Sequence, residues 1–244
     1  MDKQGLLMCA RYAVSPNFYG YCGPRKSASV IDHLKENIAD RELKEIIAEF
    51  ETLYPYLQLI ARENRIDDPF DRRVVEAYWL GNNLLHNIKN RDYLEFLRER
   101  LTIEKRTSKK DYQEIKIKIL ANGFLPHHTF HVLNIFKTTA KDTSLKSLLA
   151  MDECRINYGK IILCQNLKLK CQTKILKPRK SSLTLFSPEI KEIGINFNDK
   201  KIIKKLKEGD WISFHWGMIC DTLTARQVRN LEFYTQKAVK FFNN

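Results

Sequence analysis

Leu167-Lys168-Leu169-Lys170-Cys171-Gln172-Thr173-Lys174-Ile175 is the stretch that decides the fold class. Apolar or small residues alternate with polar ones in a period of two, which shelters one face of an extended strand and wets the other. Just upstream, Ile156, Tyr158, Lys160 and Ile162 share one parity. Downstream, Pro178-Arg179-Lys180-Ser181-Ser182 reads as a turn, and Leu183 to Phe186 and Ile190 to Phe197 read as two further short strands. Gly209-Asp210 gives another turn before the alternating strand Trp211-Ile212-Ser213-Phe214-His215-Trp216, which Gly217 ends. Thr224 can cap a closing helix that carries Val228, Leu231, Tyr234 and Val239. Four or five short strands and one helix predict a small OB-like β-barrel.

Upstream of residue 150 the period is three to four. Ser27 or Ser29 can cap a helix containing Val30, Ile31 and Leu34. From Arg41 to Asn64, Leu43, Ile46, Ile47, Phe50, Leu53, Tyr54, Leu57 and Ile60 predict one long helix that Pro55 should kink or break. Asp67 and Asp68 before Pro69 mark a turn, and the next helix runs from Asp71 past Tyr78 and Trp79 to Ile88. Asp92 and Ser108 can cap helices reaching Leu101 and Leu120, Asn122-Gly123 is a helix stop, and Pro126 opens one more segment, HHTFHVLNIF. The expectation is therefore α+β, with a helical domain over residues 1–150 and the barrel with its C-terminal helix over 151–244. The boundary rests on the change of period alone.

A chain of 244 residues can bury a real core without staples. Its net charge of +13 favours acidic partners, and a basic OB-like barrel would suit single-stranded nucleic acid. Clusters such as Lys200, Lys201, Lys204 and Lys205 read equally well as a solvated face. The cysteines at 9, 22, 154, 164, 171 and 220 form none of the CxxC pairs that make a zinc-ribbon or thioredoxin-like reading strong. No apolar run reaches the roughly 18–20 residues of a membrane span, and the first residues lack a secretory apolar core, so a cytoplasmic protein with free thiols is expected. With 9 glycines there is no Gly-rich phosphate loop.

His127, His128 and His131 are the densest group of metal-ligand types. On a helix His127 and His131 would share a face, with His128 close to it, a spacing that suits zinc or iron but lacks the glutamate of HExxH. The plainer alternative is a helix start whose histidines cap and pack. Cys22, in Tyr21-Cys22-Gly23-Pro24, sits in a tight turn where backbone amides could lower its pKa. A Cys–His enzyme would pair it with one of those histidines. Asp67, Asp68 and Asp71 with Arg72 and Arg73 have the look of an acid–base cluster, but a turn and a helix cap explain them with less effort.

Cys154-Arg155-Ile156-Asn157-Tyr158-Gly159-Lys160-Ile161 and Gly209-Asp210-Trp211-Ile212-Ser213-Phe214-His215-Trp216-Gly217 resemble the HypC/HupF hydrogenase-maturation chaperones. In that family a cysteine is followed by a short strand and a glycine five residues on. A Gly-Asp-aromatic strand then leads into a His-containing turn, and a helix closes the domain. The resemblance covers residues 151–244. Cys154 is internal where the family's cysteine is the second residue, and Tyr158 stands where proline is expected. The resemblance implies a carrier rather than a catalyst. Members pass an iron bearing cyanide and carbon monoxide to the nickel–iron hydrogenase large-subunit precursor, together with a partner scaffold protein. By that resemblance Cys154 would ligate the iron, and His215 would stand beside it as proton acceptor or second ligand. Read without it, Cys154 is a buried strand-end thiol and His215 a core histidine bonded to backbone.

Taken whole, the chain is also similar to an uncharacterised family of bacterial and archaeal proteins, through Tyr21-Cys22-Gly23-Pro24, Glu76-Ala77-Tyr78-Trp79, His127 to His131 and His215-Trp216-Gly217. Three functions are thus in view. The first is a metallochaperone-like maturation factor carrying an iron with diatomic ligands. The second is a metal or cysteine enzyme built on Cys22 with His127, His128 and His131. The third is a basic nucleic-acid-binding barrel.

Overall fold

The computed structural model describes residues 1–136, 147–165, 168–180, 182–203 and 205–244. Leu167, Ser181, Lys204 and most of the expected boundary region at 140–150 lie outside them. Helix α1 (Lys3–Phe18) starts where the Asp2 carboxylate accepts hydrogen bonds from the Gln4 and Gly5 amides. From Gly5 to Asn17 all but Arg11 are buried. A helix buried around its whole girth has no apolar stripe, which is why the periodicity upstream of Ser27 gives no sign of it. It packs against α2 (Ser27–Glu36), α3 (Arg41–Ala48) and α5 (Arg72–Trp79). A Cβ on Gly5 would lie 1.8 Å from the Phe70 carbonyl oxygen. Since backbone cannot swing aside, Gly5→Ala should cost about 3 kcal/mol, read as a lower urea midpoint at unchanged slope. An unchanged midpoint would show that α1 and α5 are not held this close.

The expected long helix over 41–64 is two helices, α3 and α4 (Leu53–Glu63). The break falls at Glu49–Thr52, and Pro55 sits in the first turn of α4, where its missing N–H costs nothing. The acidic cluster caps helices, as its spacing suggested. Asp71 accepts from the Arg73 amide at 2.8 Å, Asp68 from the Asp2 amide at 2.6 Å, and Asp2 from the Arg72 amide at 2.8 Å. A 3₁₀ turn (Asn83–Asn87), α6 (Asn90–Glu99) and α7 (Ile103–Arg106) follow. Next, α8 (Lys109–Asn122) runs from its Ser108 cap to Gly123 at φ +75°. Helix α9 (His128–Phe130) widens directly into a π-helical turn (His131–Phe136), and α10 (Leu148–Cys154) leads into the sheet.

The strands are β1 (Asn157–Gln165), β2 (Lys168–Arg179), β3 (Ser182–Gly194), β4 (Asn196–Phe197), β5 (Lys200–Lys201), β6 (Trp211–His215) and β7 (Met218–Thr222). Hydrogen bonding runs β1-β2-β3-β7-β6 and returns from β6 to β1, while β4 and β5 pair with each other. All these pairings are antiparallel except one parallel contact, Gly194 with Met218. Ile161, Leu169, Cys171, Ile193, Ile212, Phe214 and Ile219 pack together on the inner face. Tyr158, Leu176 and Met218 pack outward, in one apolar core with helical residues from Leu6 to Phe241. Helix α11 (Ala225–Asn243), opened by a Thr224/Gln227 capping box, lies on α9 and β3.

The sheet departs from the period-two reading in three places. The register shifts between Thr173 and Ile175, so burial passes from Thr173 to Leu176 and Ile175 leaves the inner parity. The two short strands expected over 183–197 are chiefly one strand, β3. Strand β7 has no counterpart in the alternating pattern of the sequence. It pairs with β6 through the two-residue turn Trp216-Gly217, where both residues have positive φ, +50° and +68°. The fold is α+β, with helices first and a helix last, and no helix among the described residues is long and apolar enough to cross a membrane.

Candidate metal centre

Three elements far apart in sequence meet at one point. The ligand atoms of His128 (start of α9), Cys154 (end of α10) and His215 (end of β6) all lie within 4.8 Å of one another. His128 is placed by its neighbour: His127 Nδ1 accepts the Thr129 amide and caps the helix. The His128 ring is then clamped at both nitrogens, with Nε2 2.8 Å from the Cys154 carbonyl and Nδ1 3.1 Å from the Tyr78 hydroxyl. A carbonyl only accepts, so Nε2 carries the proton and Nδ1 accepts from the Tyr78 hydroxyl, a bond that a metal at Nδ1 would have to displace. His215 is held the opposite way. Its Nδ1 donates to the Tyr12 carbonyl at 2.8 Å, and its buried Nε2 has no hydrogen-bond partner. A carbonyl fixing one ring nitrogen while the other stands free is the arrangement of a metal-ligating imidazole.

Cys154 owes its position to a buried charge cluster on either side of it. Arg155, fully buried, donates through Nε to Asp152 at 2.9 Å, and Lys191 reaches Asp152 at 3.0 Å and Glu153 at 2.7 Å. Asp152 also accepts the Leu176 amide at 2.9 Å, tying α10 to β2. The Trp216 amide donates to the Glu153 carbonyl at 2.9 Å, which fastens the β6–β7 turn to the same helix end.

Burial sets the protonation of all these groups. It pulls His128 well below the ordinary histidine range and His215 down to about 4, so both are neutral imidazoles at neutral pH. The Cys154 thiol is pushed up by burial and then by Cys22, with the Trp216 indole acting weakly in the other direction. A protonated thiol beside two neutral imidazoles is uncharged, and a bound metal would displace the proton.

The group opens into a pocket of about 500 Å³ whose walls include Cys22, Tyr78, Trp79 and Trp216. Trp79 lies against the His128 ring at 4.6 Å and the His215 ring at 5.9 Å. Tyr21 stacks on Trp216 at 4.1 Å. Cys22 shares this pocket but stands outside the 4.8 Å group. As a residue it is exposed, yet burial of its thiol against the pocket wall pushes the pKa up to about 12. Burial thus opposes the lowering by turn amides expected from the sequence.

The other two histidines go elsewhere. His131 lines the pocket, but its Nδ1 is hydrogen-bonded to the Tyr56 hydroxyl at 3.0 Å. His127 packs on the Tyr234 ring at 5.6 Å, toward α11. They do not share a face because His127 precedes the helix and the backbone widens to a π turn at His131. Tyr12 and Tyr78 orient the two imidazoles; Tyr78 falls in the shared stretch Glu76 to Trp79, whereas Tyr12 had no signal in sequence as a site residue. Tyr12 lies on the helix that periodicity hides, and its contribution is a main-chain carbonyl.

Burial also lowers His127 and His131 to about 3. In the unfolded chain all four histidines titrate near 6.5. Below that pH the unfolded state takes up protons that the metal-free native state refuses, so stability is full above about 6.5 and falls as pH drops toward 4. The loss should reach about 2–5 kcal/mol per pH unit at its steepest, at about 1.4 kcal/mol per proton. Urea midpoints measured from pH 7.5 to 5 check this, and a flat profile would contradict it.

This is an α+β protein whose helices and sheet jointly build a His–Cys–His group, its histidines buried and Cys154 half-buried, in the wall of an aromatic-lined pocket. The chain belongs to DUF6390, a family of unknown function whose model matches residues 1–244. No curated protein and no solved structure matches it.

Proposed function

We propose that this protein is an accessory factor that holds and passes on a metal, with Cys154 as the anchoring ligand and His215 and His128 beside it. The convergence of the three donors within 4.8 Å carries the reading. A thiolate and two imidazoles suit a soft or borderline ion such as iron, and aromatic walls keep water from labile ligands. The orphaned His215 Nε2 supports a metal in particular, because a buried lone pair without a partner is costly to leave unused.

The HypC/HupF resemblance extends this reading to a definite cargo, an iron carrying cyanide and carbon monoxide for a nickel–iron hydrogenase. Its partners would be the maturation scaffold protein and the large-subunit precursor. Two features support the OB-like barrel that goes with it. The β ladder returns to its first strand, and Cys154 precedes β1 while His215 ends β6.

The test is to purify the full chain without oxygen from a host actively making nickel–iron hydrogenase, beside Cys154→Ala. Infrared spectra are then recorded in the cyanide and carbonyl stretching region. Bands in the parent that vanish in the folded variant are expected. A folded parent without bands would remove the hydrogenase cargo from the proposal.

A further inference from the structure

We propose that Cys22 is the fourth ligand of the His128–Cys154–His215 centre, delivered by a loop that Tyr21 latches onto Trp216. This rests on the metal-centre reading above and adds a gate to it. Three protein donors leave one position of a tetrahedral divalent ion open. Cys22 is the thiol in the same pocket with no other assignment. Of the pocket's other donors, Glu49 pairs with Lys26 at 2.5 Å, Glu51 faces solvent beside Arg106, and His131 lies outside the 4.8 Å group.

Charge points the same way. A divalent ion on two neutral imidazoles and one thiolate keeps a net positive charge in an apolar pocket. A second thiolate brings the centre to neutrality, which a desolvated site favours. Two thiol protons leave for solvent as the ion enters.

The loop is built to carry this ligand. Between α1 and α2 it turns through Gly20 and Gly23, at φ +76° and +80°. Its base is pinned where the Asn17 side-chain amide donates to the Cys22 carbonyl at 2.9 Å. The Phe50 ring fills the space a Cβ on Gly23 would need, at 2.3 Å. Its tip is held by the Tyr21–Trp216 stack, and Trp216 adopts a left-handed backbone, φ +50°, that a bulky side chain rarely accepts. That strained turn directly follows His215 and is hydrogen-bonded to the residue before Cys154. In this structure Cys22 stands in the pocket wall outside the 4.8 Å group, which leaves the loop open. A short inward movement of the loop closes it over the ion, and withdrawal exposes a three-ligand ion ready for transfer.

The test reconstitutes the full chain with Co²⁺ and reads thiolate-to-cobalt charge transfer and ligand-field absorption. The parent should bind one Co²⁺ tetrahedrally with charge transfer from two thiolates. Cys22→Ala should keep the ion and halve the charge-transfer intensity. Tyr21→Ala should keep the spectrum and speed Co²⁺ loss to EDTA about three- to tenfold, the worth of one aromatic stack. Both residues lie in the exposed loop over residues 19–23, and far-UV circular dichroism of each variant checks that the fold is kept. If Cys22→Ala leaves the spectrum of the parent intact while Cys154→Ala abolishes it, the three-residue centre stands and the gate falls. If the parent takes up no stoichiometric Co²⁺, the centre falls as well.

Discussion

Asp152→Ala is expected to destabilise the protein by about 3–5 kcal/mol, the loss incurred when one partner of a buried charge pair is removed. Burial pushes the Asp152 carboxyl up, but Arg155 and Lys191 outweigh it and hold it below the usual carboxylate range. Removing it strands the fully buried Arg155 guanidinium, whose Nη1 already lacks a partner, and deprives the Leu176 amide of its acceptor. Lys191 can fall back on Glu153, so the damage centres on Arg155. Urea unfolding at pH 7.5 gives the number, and a loss under 1 kcal/mol would show that water reaches the guanidinium. Joint replacement, Asp152→Leu with Arg155→Met, should recover most of the stability because no charge is left buried and unpaired. Cys154 lies between the two, so Asp152→Ala should also weaken metal binding, a readout that simple loss of packing elsewhere would not produce.

Cys154→Ala should weaken binding of a thiophilic divalent ion on the order of 100-fold, at or above the loss found for orienting partners of metal ligands. The pH dependence separates the thiols from the histidines. The His128 and His215 imidazoles are already neutral at pH 7, so they would release no proton on binding. The thiols are protonated in the metal-free protein, Cys154 raised by burial and Cys22 to about 12. Binding therefore releases one proton per ligating thiol, and affinity rises with pH, tenfold per unit for each. With both thiols engaged the parent should gain about 100-fold per pH unit between 6.5 and 8, and Cys154→Ala about tenfold. Competition against a chelator of known affinity measures this. A slope of zero in the parent would exclude thiolate ligation.

Local rules made much of the chain readable from its residues. Ser108 opens α8 and Gly123 closes it, Thr224 opens α11 with its capping box, and the alternation around Leu169 and Cys171 marks a strand. Each depends on groups within a turn of one another, so the information is contained in the stretch itself. Helix α1 was hidden because uniform burial carries no period, and β7 because a five-residue strand behind a tight turn has too few positions to show one. Pro55 misdirected the break in 41–64 because proline is as much at home in a first helical turn as it is disruptive in a later one.

The sequence by itself singled out Cys22, Cys154, His215 and a three-histidine cluster as chemistry-bearing, and it marked the change from helix to strand near residue 150. Which histidine joins Cys154 and His215 was decided only in three dimensions. His127, His128 and His131 are close neighbours in sequence, yet they face Tyr234, the Cys154–His215 pair and Tyr56 respectively. Their directions follow from where α9 begins, where the backbone widens, and which partners α4, α5, α10 and α11 bring from 26 to 107 residues away in the chain. A metal centre is a coincidence of side chains in space, and the burial that drives distant elements together is a property of the whole core, which no local pattern encodes.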